Sequence, residues 1–313
     1  MQCGINMIFP KKLREGDKIG LVCPSSKIKA EDVIKCKESV EKLGFEPVFA
    51  ENINDTYAGY MAGDEKARAY WINKMFEDDE IDGIFCIRGG DGSSRIMQYL
   101  DYDLISKNPK VFVGYSDVTN LLNAFSKDCD FVTYHGPMVL SNMIDFDELS
   151  KESLLRMVKE TNQDKILNFK NADYAIEILR NGRAEGRLSG GNLSLLSASV
   201  GTPYEFESKN SIVFIEEIGE PLSKIDKWIY HLRNSGKFNE CAGVILGQFT
   251  EITNPDDETF GAIESIGDAL RDFDFPVVYN LQSGHGKPNL TLPIGAPCTI
   301  DTKSKEILTF ECY

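Results

Sequence analysis

The sequence predicts an α/β protein of two domains, the first built on a parallel sheet and the second smaller. Three observations lead there. From residue 18 to residue 134, short apolar runs alternate with segments of helical periodicity. The apolar runs are continuous, with no period-two alternation, as expected for parallel strands covered by helices on both faces. From about residue 148 the character changes, and a second set of strands and helices follows a polar stretch. A chain of 313 residues has the length of two domains, and 42% hydrophobic with 27% charged residues is ordinary globular composition. The expected division is 1–159 for the first domain, 160–183 for a linker and 184–313 for the second domain.

Residues 18–23 (KIGLVC) read as the first strand, and the turn PSS follows it. In 30–43 the apolar residues Val33, Cys36, Val40 and Leu43 have helical spacing, and Gly44 is a natural stop. Residues 46–50 (EPVFA) make the next strand. A second helix over 64–76 places Ala67, Trp71, Ile72, Met75 and Phe76 on one side. Residues 83–87 (GIFCI) form a buried strand that ends in the loop 88–94, RGGDGSS. A short helix leads to strand 110–115 (KVFVGY), then helix 117–126 and strand 131–134. A helix over 148–159 runs into ETNQDK, where the linker starts. Beyond it stand the strands AEGRLS, SIVFIEE, AGVILGQ and PVVYNL, with helices near 192–199, 224–235 and 258–272. The stretch TLPIGAPCTIDTKSKEILTFE reads as a hairpin with a polar turn. Ligands of parallel sheets bind outside the carboxyl ends of the strands. The loops there are PSS, RGGDGSS and GYSD.

The formal net charge is −15, which disfavours nucleic acid and anionic membrane as main partners. The eight cysteines are Cys3, Cys23, Cys36, Cys86, Cys129, Cys241, Cys298 and Cys312, and no two stand closer than Cys23 and Cys36. That excludes CxxC and zinc-ribbon spacing and leaves them as small buried hydrophobes in a reducing compartment. No stretch approaches the ~18–20 apolar residues of a membrane span, and residues 1–12 (MQCGINMIFPKK) lack the apolar region of a signal peptide. Residues 1–6 read as an extension, or as an early start codon with Met7 the expected start. The expectation is a soluble, cytoplasmic protein.

Only three histidines are present, His135, His231 and His285, so a histidine-dependent mechanism must choose among them. His231 lies near the C-terminus of a helix, where a cation suits the dipole. His135, in YHGP at a strand end, suits a structural role. His285 stands between glycines in SGHGK, an arrangement that lets a side chain reach into a cleft. Ser116, in VGYSDV, follows a strand and opens a helix. This is the setting of a nucleophile elbow, although Val118 replaces the second glycine of G-x-S-x-G. Helix capping by Ser116 or Asp117 is the alternative. Glu216 and Glu217 end an apolar strand, where carboxylates are either functional or emerging into solvent. RGGDGSS lacks the GK[ST] and GxGxxG patterns of nucleotide binding. It is either a plain tight turn or a loop that aims N–H groups at an oxyanion.

Several longer motifs occur together: GDKIGLVCPSS, YMAGDEKAR, IFCIRGGDGSSRIMQYLDYDLI, FVGYSDVTNLL, YHGP, GRLSGGNLSLLSASVGTPYE, FIEEIGEP and SGHGKPNLTLPIGAP. In these motifs the chain resembles the LD-carboxypeptidases, from about residue 13 to residue 311. This serine peptidase family includes the muramoyltetrapeptide carboxypeptidases and the microcin C self-immunity peptidases. The resemblance implies a flavodoxin-like N-terminal domain, a C-terminal domain and an active site in the cleft between them. It implies Ser116 as nucleophile, His285 as base and Glu216 as the carboxylate that orients it. Glu217 stands where many relatives have aspartate, so the register is open by one residue. The implied oxyanion donors are the backbone N–H groups of Asp117 and Gly90.

The implied reaction removes terminal D-alanine from murein tetrapeptides, at the bond to the L-centre of a diamino acid, during cell-wall recycling in the cytoplasm. The microcin branch cleaves peptidyl- or aminoacyl-nucleotide conjugates instead. The family implies a homodimer, and the mechanism calls for no cofactor and no metal. Arg88, with Gly89 beside it, is the candidate for sensing the substrate's free carboxylate, with bracing of the loop as the alternative. A rival of another class is a non-catalytic two-domain protein that binds a small ligand.

Overall fold

The computed structural model describes residues 7–160, 175–257 and 259–311, and the backbone of 166–168. Cys3, Cys312, most of ETNQDK and the start of the helix expected at 258 lie outside these residues. The chain divides into two compact units. One comprises Met1–Gln163 and Leu290–Gly295, the other Asp164–Asn289 and Ala296–Tyr313.

The first unit contains β1 (Lys18–Val22), α1 (Ala30–Glu41), β2 (Glu46–Phe49), α2 (Glu65–Glu77), β3 (Gly83–Cys86), α3 (Tyr102–Lys107), β4 (Val111–Gly114), α4 (Thr119–Asp128), β5 (Thr133–His135) and α5 (Glu148–Val158). Asp64 and Asp101 cap α2 and α3, accepting from the Ala67 and Leu104 N–H groups at 2.8 and 2.9 Å. Strands β2, β1, β3, β4 and β5 lie in that spatial order, all parallel. This is the flavodoxin-like order, which opens a crevice between the first and third strands. Strands β3 and β4 are wholly buried, as continuous apolar runs require. Phe76 of α2, Phe112 of β4 and Phe125 of α4 pack with ring centroids 5.1–5.9 Å apart, and Phe131 joins them. Each such pair contributes roughly 0.5–1.5 kcal/mol beyond its buried area. The cluster fixes α4 against β4, on either side of the turn that carries Ser116.

The second unit contains β6 (Ile166–Asn168), β7 (Glu177–Arg180), β8 (Arg183–Asn192), α6 (Leu193–Ser199), β9 (Ser211–Ile218), α7 (Leu222–Asn234), β10 (Gly243–Thr250), α8 (Ala262–Ala269) and β11 (Val277–Tyr279). The chain then adds β12 (Leu292–Ile294) to the first unit before returning for β13 (Pro297–Asp301) and β14 (Leu308–Glu311). The second sheet has the order β6-β14-β13-β8-β9-β10-β11-β7, with β8 through β11 parallel. Leu193, Phe206, Ile225, Ile229 and Phe238 are buried beside Val213, Ile215, Val244 and Leu246 of its central strands.

Two expectations differ from this arrangement. The TLPI segment is not one arm of a hairpin: β12 pairs antiparallel with β5, Leu292 opposite His135, and the hairpin is β13 with β14. The second compact unit is therefore interrupted at Leu290–Gly295. Within the expected linker, β7 pairs antiparallel with β11, leaving Ile178 and Leu179 38% and 41% exposed at the sheet edge. An edge strand of four residues with exposed apolar side chains lacks the burial pattern that sequence reading relies on.

Candidate active site

Ser116 sits where β4 has ended and α4 has not begun. Residues Ser116–Val118 make one turn of 3-10 helix, and the N-cap of α4 is Val118, with no side-chain cap. Ser116 therefore does not serve α4 as a cap. Its φ is +62°, in the left-handed region, which costs a non-glycine residue roughly 1–2 kcal/mol. Tyr115, Asp117 and Val118 are buried, whereas Ser116 is half-buried. A strained strand-to-helix turn that presents a serine at the carboxyl edge of a sheet is the nucleophile-elbow arrangement.

The glycine-rich loop comes up against this serine. A methyl group on Gly89 would stand 3.1 Å from both Cβ and Oγ of Ser116, so only glycine fits there without displacement. Gly89 is buried and Gly90 is exposed. Arg88 is half-buried, with Nη1 3.5 Å from the Lys27 carbonyl oxygen, a marginal contact. The side chain of Asp117, 4% exposed, turns inward. Its Oδ2 accepts from the Ser25 hydroxyl and, at 2.8 Å, from the Ser93 N–H, while the Ser93 hydroxyl donates to the Asp117 carbonyl. Burial pushes the Asp117 carboxyl pKa above its ordinary value, against these hydrogen bonds.

In the second unit the paired glutamates of β9 separate, as adjacent strand residues do. Glu216 is fully buried, and its Oε2 lies 2.7 Å from Nδ1 of His285. With the carboxylate accepting, Nδ1 carries the ring proton and Nε2 holds the lone pair. Gly284 has φ +136°, and a methyl there would stand 2.9 Å from Glu216 Oε2, so glycine is what lets the histidine loop close on the carboxylate. Gln248 pins the same loop, accepting from the Gly286 N–H at 2.8 Å and donating to the Pro288 carbonyl at 3.0 Å. Burial pulls the His285 pKa down, but Glu216, by charge and hydrogen bond, with Glu217 and Glu251 adding charge, outweighs it. The result lies above the ordinary imidazole value.

Glu217 points the other way. Its Oε1 accepts from Asn192 Nδ2 at 2.7 Å and from the Ile218 N–H at 2.9 Å, and its Oε2 accepts from the Ser194 N–H at 2.8 Å in the first turn of α6. Its carboxyl pKa is raised by burial and held down in part by these bonds. The two glutamates should therefore fail differently. Glu216→Gln is expected to lower kcat by about 10²–10⁴-fold with the melting temperature nearly unchanged, because it alters the partner of the histidine. Glu217→Gln is expected to keep most activity and to lose about 1–3 kcal/mol of stability, because an acceptor of three donors is replaced. Kinetics and thermal denaturation on both variants separate the two roles, and a severe kinetic loss in Glu217→Gln alone would shift the register by one.

The other histidines lie elsewhere. His135 is fully buried in β5, its ring edge-on to Tyr115 at 5.8 Å, and His231 is exposed in the last turn of α7. Sequence reading missed Ser25, Ser93, Gln248 and the buried Arg68. Arg68 precedes Ile72 by one helical turn on the apolar side of α2, and a charge on that stripe was the available signal. Cys23, Cys36, Cys86, Cys129, Cys241 and Cys298 are buried free thiols, as expected. No helix among the described residues is long and apolar enough to cross a membrane. No group of three or more His, Cys, Asp or Glu side chains among them stands where it could hold a metal ion.

Known proteins resemble the chain over most of its length. The LD-carboxypeptidase N-terminal domain matches residues 19–136, and the LD-carboxypeptidase C-terminal domain matches 185–300. A Bacillus subtilis protein named "Probable murein peptide carboxypeptidase" is 33% identical over 95% of this chain and 92% of its own length. The murein tetrapeptide carboxypeptidase of Pseudomonas aeruginosa is 26% identical over 91% and 93%. The crystal structure of a MccF-like protein from Bacillus anthracis superimposes with a TM-score of 0.84, at 26% identity, over 98% of this chain and all of that one.

Proposed function

Because the chain belongs to the LD-carboxypeptidase family, we propose that it is a serine carboxypeptidase that removes terminal D-alanine from murein tetrapeptides, with Ser116, His285 and Glu216 as its catalytic residues. The observation that carries the reading is the Glu216–His285 pair. A fully buried carboxylate set 2.7 Å from an imidazole fixes the tautomer and stabilises the imidazolium that forms during acyl transfer. The murein-directed names of the relatives support the substrate.

In this mechanism Ser116 Oγ attacks the carbonyl carbon of the L-centred residue, and His285 Nε2 takes the hydroxyl proton. The N–H groups of Asp117 and Gly90 meet the oxyanion. The C–N bond breaks as His285 returns the proton to the amine of the departing D-alanine. A water, deprotonated by the same nitrogen, then frees the acyl group and restores the Ser116 hydroxyl. Arg88, with the N–H of Gly89, meets the substrate's free carboxylate. The buried thiols suit work in the reducing cytoplasm. The reading includes a homodimer, measurable by sedimentation, and a small peptide as partner in place of nucleic acid or membrane.

The test is incubation with murein tetrapeptide and, in parallel, an aminoacyl sulfamoyl adenylate, with products followed by mass. Release of D-alanine alone supports the murein reading. Cleavage of the adenylate alone moves the protein to the microcin branch. Failure of a serine-directed phosphonate to label Ser116 would make it a binding protein.

A base must be neutral to accept a proton. With the His285 pKa held above its ordinary value, kcat/KM is expected to fall with decreasing pH through a midpoint above ~6.5. Glu216→Gln removes the carboxylate that raises it, so the residual activity of that variant should show this limb at lower pH. A pH–rate profile of both proteins checks the sign.

A further inference from the structure

Arg68 is 1% exposed, yet no carboxylate hydrogen-bonds its guanidinium among the described residues. Its donors go instead to backbone. Nε donates to the Gly63 carbonyl at 3.2 Å, and Nη1 donates to the Pro24 carbonyl and, at 2.8 Å, to the Gly92 carbonyl; Nη2 lies 3.3 Å from the Met61 sulfur. A buried charge without a paired ion is costly unless other groups absorb it. The compensating anion is one peptide unit away.

A trans peptide points its C=O and N–H in opposite directions. The unit joining Gly92 to Ser93 has its oxygen on Arg68 and its N–H on the Asp117 carboxylate, each at 2.8 Å. The peptide dipole is thus clamped between a buried cation and a buried anion. A second link runs beside it: Arg68 holds the Pro24 carbonyl, and the next residue, Ser25, donates its hydroxyl to the same Asp117 oxygen. Both links cross the carboxyl ends of β1 and β3, where the flavodoxin-like strand order opens its crevice. Asp117 is the residue after Ser116, and Gly89, in the clamped loop, packs on the Ser116 side chain.

We infer that Arg68 is a positioning residue for this reaction: through the Gly92–Ser93 peptide, Ser25 and Asp117 it holds the nucleophile turn and the oxyanion loop in register, without touching substrate. The inference rests on the serine-peptidase reading. It explains why the motif YMAGDEKAR, which contains none of the proposed catalytic residues, ends in arginine. A guanidinium has a rigid fork of five donors and serves several carbonyls at once, whereas an ammonium is a point donor on a flexible stem.

The experiment uses the full chain with Arg68→Lys, Arg68→Met and Ser25→Ala. A small misplacement of reacting groups costs about 10²-fold in rate. Arg68→Met is therefore expected to lower kcat about 100-fold and Arg68→Lys about 10-fold, with KM within threefold of wild type in both. The rate of Ser116 labelling by a fluorophosphonate should fall in parallel, because it reads the nucleophile and oxyanion geometry without substrate binding. A purely structural arginine would lower the melting temperature and leave kcat per folded molecule and labelling unchanged, which overturns the inference. A rise in KM at constant kcat also overturns it, since that places Arg68 in substrate binding. Should both Arg68 variants fail to fold, Ser25→Ala decides. It cuts one of the two links and is expected to lower kcat and labelling about 5- to 10-fold in a folded protein, and wild-type rates there would sink the clamp. Ser116→Ala, run alongside, keeps the two ideas apart: if it retains activity the serine-peptidase reading fails, and if it is dead while Arg68→Lys is normal only the clamp fails.

Discussion

Replacing Ser116 by alanine is expected to lower kcat for D-alanine release by about 10⁴–10⁶-fold while leaving the fold intact. The change removes one oxygen from a half-buried side chain. That oxygen neither caps α4 nor carries the turn, which is fixed by β4, by the inward-facing Asp117 and by the close approach of Gly89. Folded stability should therefore stay within about 1 kcal/mol of wild type. Alanine bears the same left-handed strain as serine and brings no new clash. Activity within tenfold of wild type, measured on protein with an unchanged melting temperature, would remove Ser116 from the chemistry and with it the covalent mechanism.

The loss in His285→Ala should be of similar size, and Ser116→Ala/His285→Ala should be little worse than either single variant. A nucleophile without its base and a base without its nucleophile are equally idle, so the free-energy losses do not add. The structural consequences differ from those at Ser116. Removing the imidazole leaves the fully buried Glu216 carboxylate without the partner that Oε2 now has. An orphaned buried charge is destabilising, so His285→Ala should lower the melting temperature more than Ser116→Ala does. His231→Ala, on the exposed face of α7, should leave kcat unchanged. An essential His231 with a dispensable His285 would mean the wrong base had been chosen.

Much of this was legible in the residues. Continuous apolar runs gave β1, β3 and β4 because strands covered on both faces bury every side chain. The serine between a strand and a helix gave the strained turn, because few backbone paths connect the two so abruptly. The choice between Glu216 and Glu217 was not legible. Both are buried, at 0% and 2% exposure, and which face meets the histidine depends on strand register. Strand β12 was hidden for a related reason. Three apolar residues carry no sign of which sheet they join, and the answer lies in hydrogen bonds to β5, far earlier in the chain. Arg68 was visible as a charge on an apolar stripe, but its meaning depends on carbonyls from three separate segments, which no local pattern encodes.

The late arrival of β12 bears on how the protein is made. Strand β5 is complete at His135, but its outer edge stays unpaired until Leu292–Ile294 have been synthesised. At a translation rate of about 5–20 residues per second, that gap lasts roughly 8–30 s. A parallel sheet that assembles within this gap leaves the β5 edge open as well as that of β2, a ready template for pairing with a neighbouring copy on the same message. Aggregation during expression should accordingly depend on ribosome spacing and on chaperones that act before release, and much less on the stability of the finished enzyme.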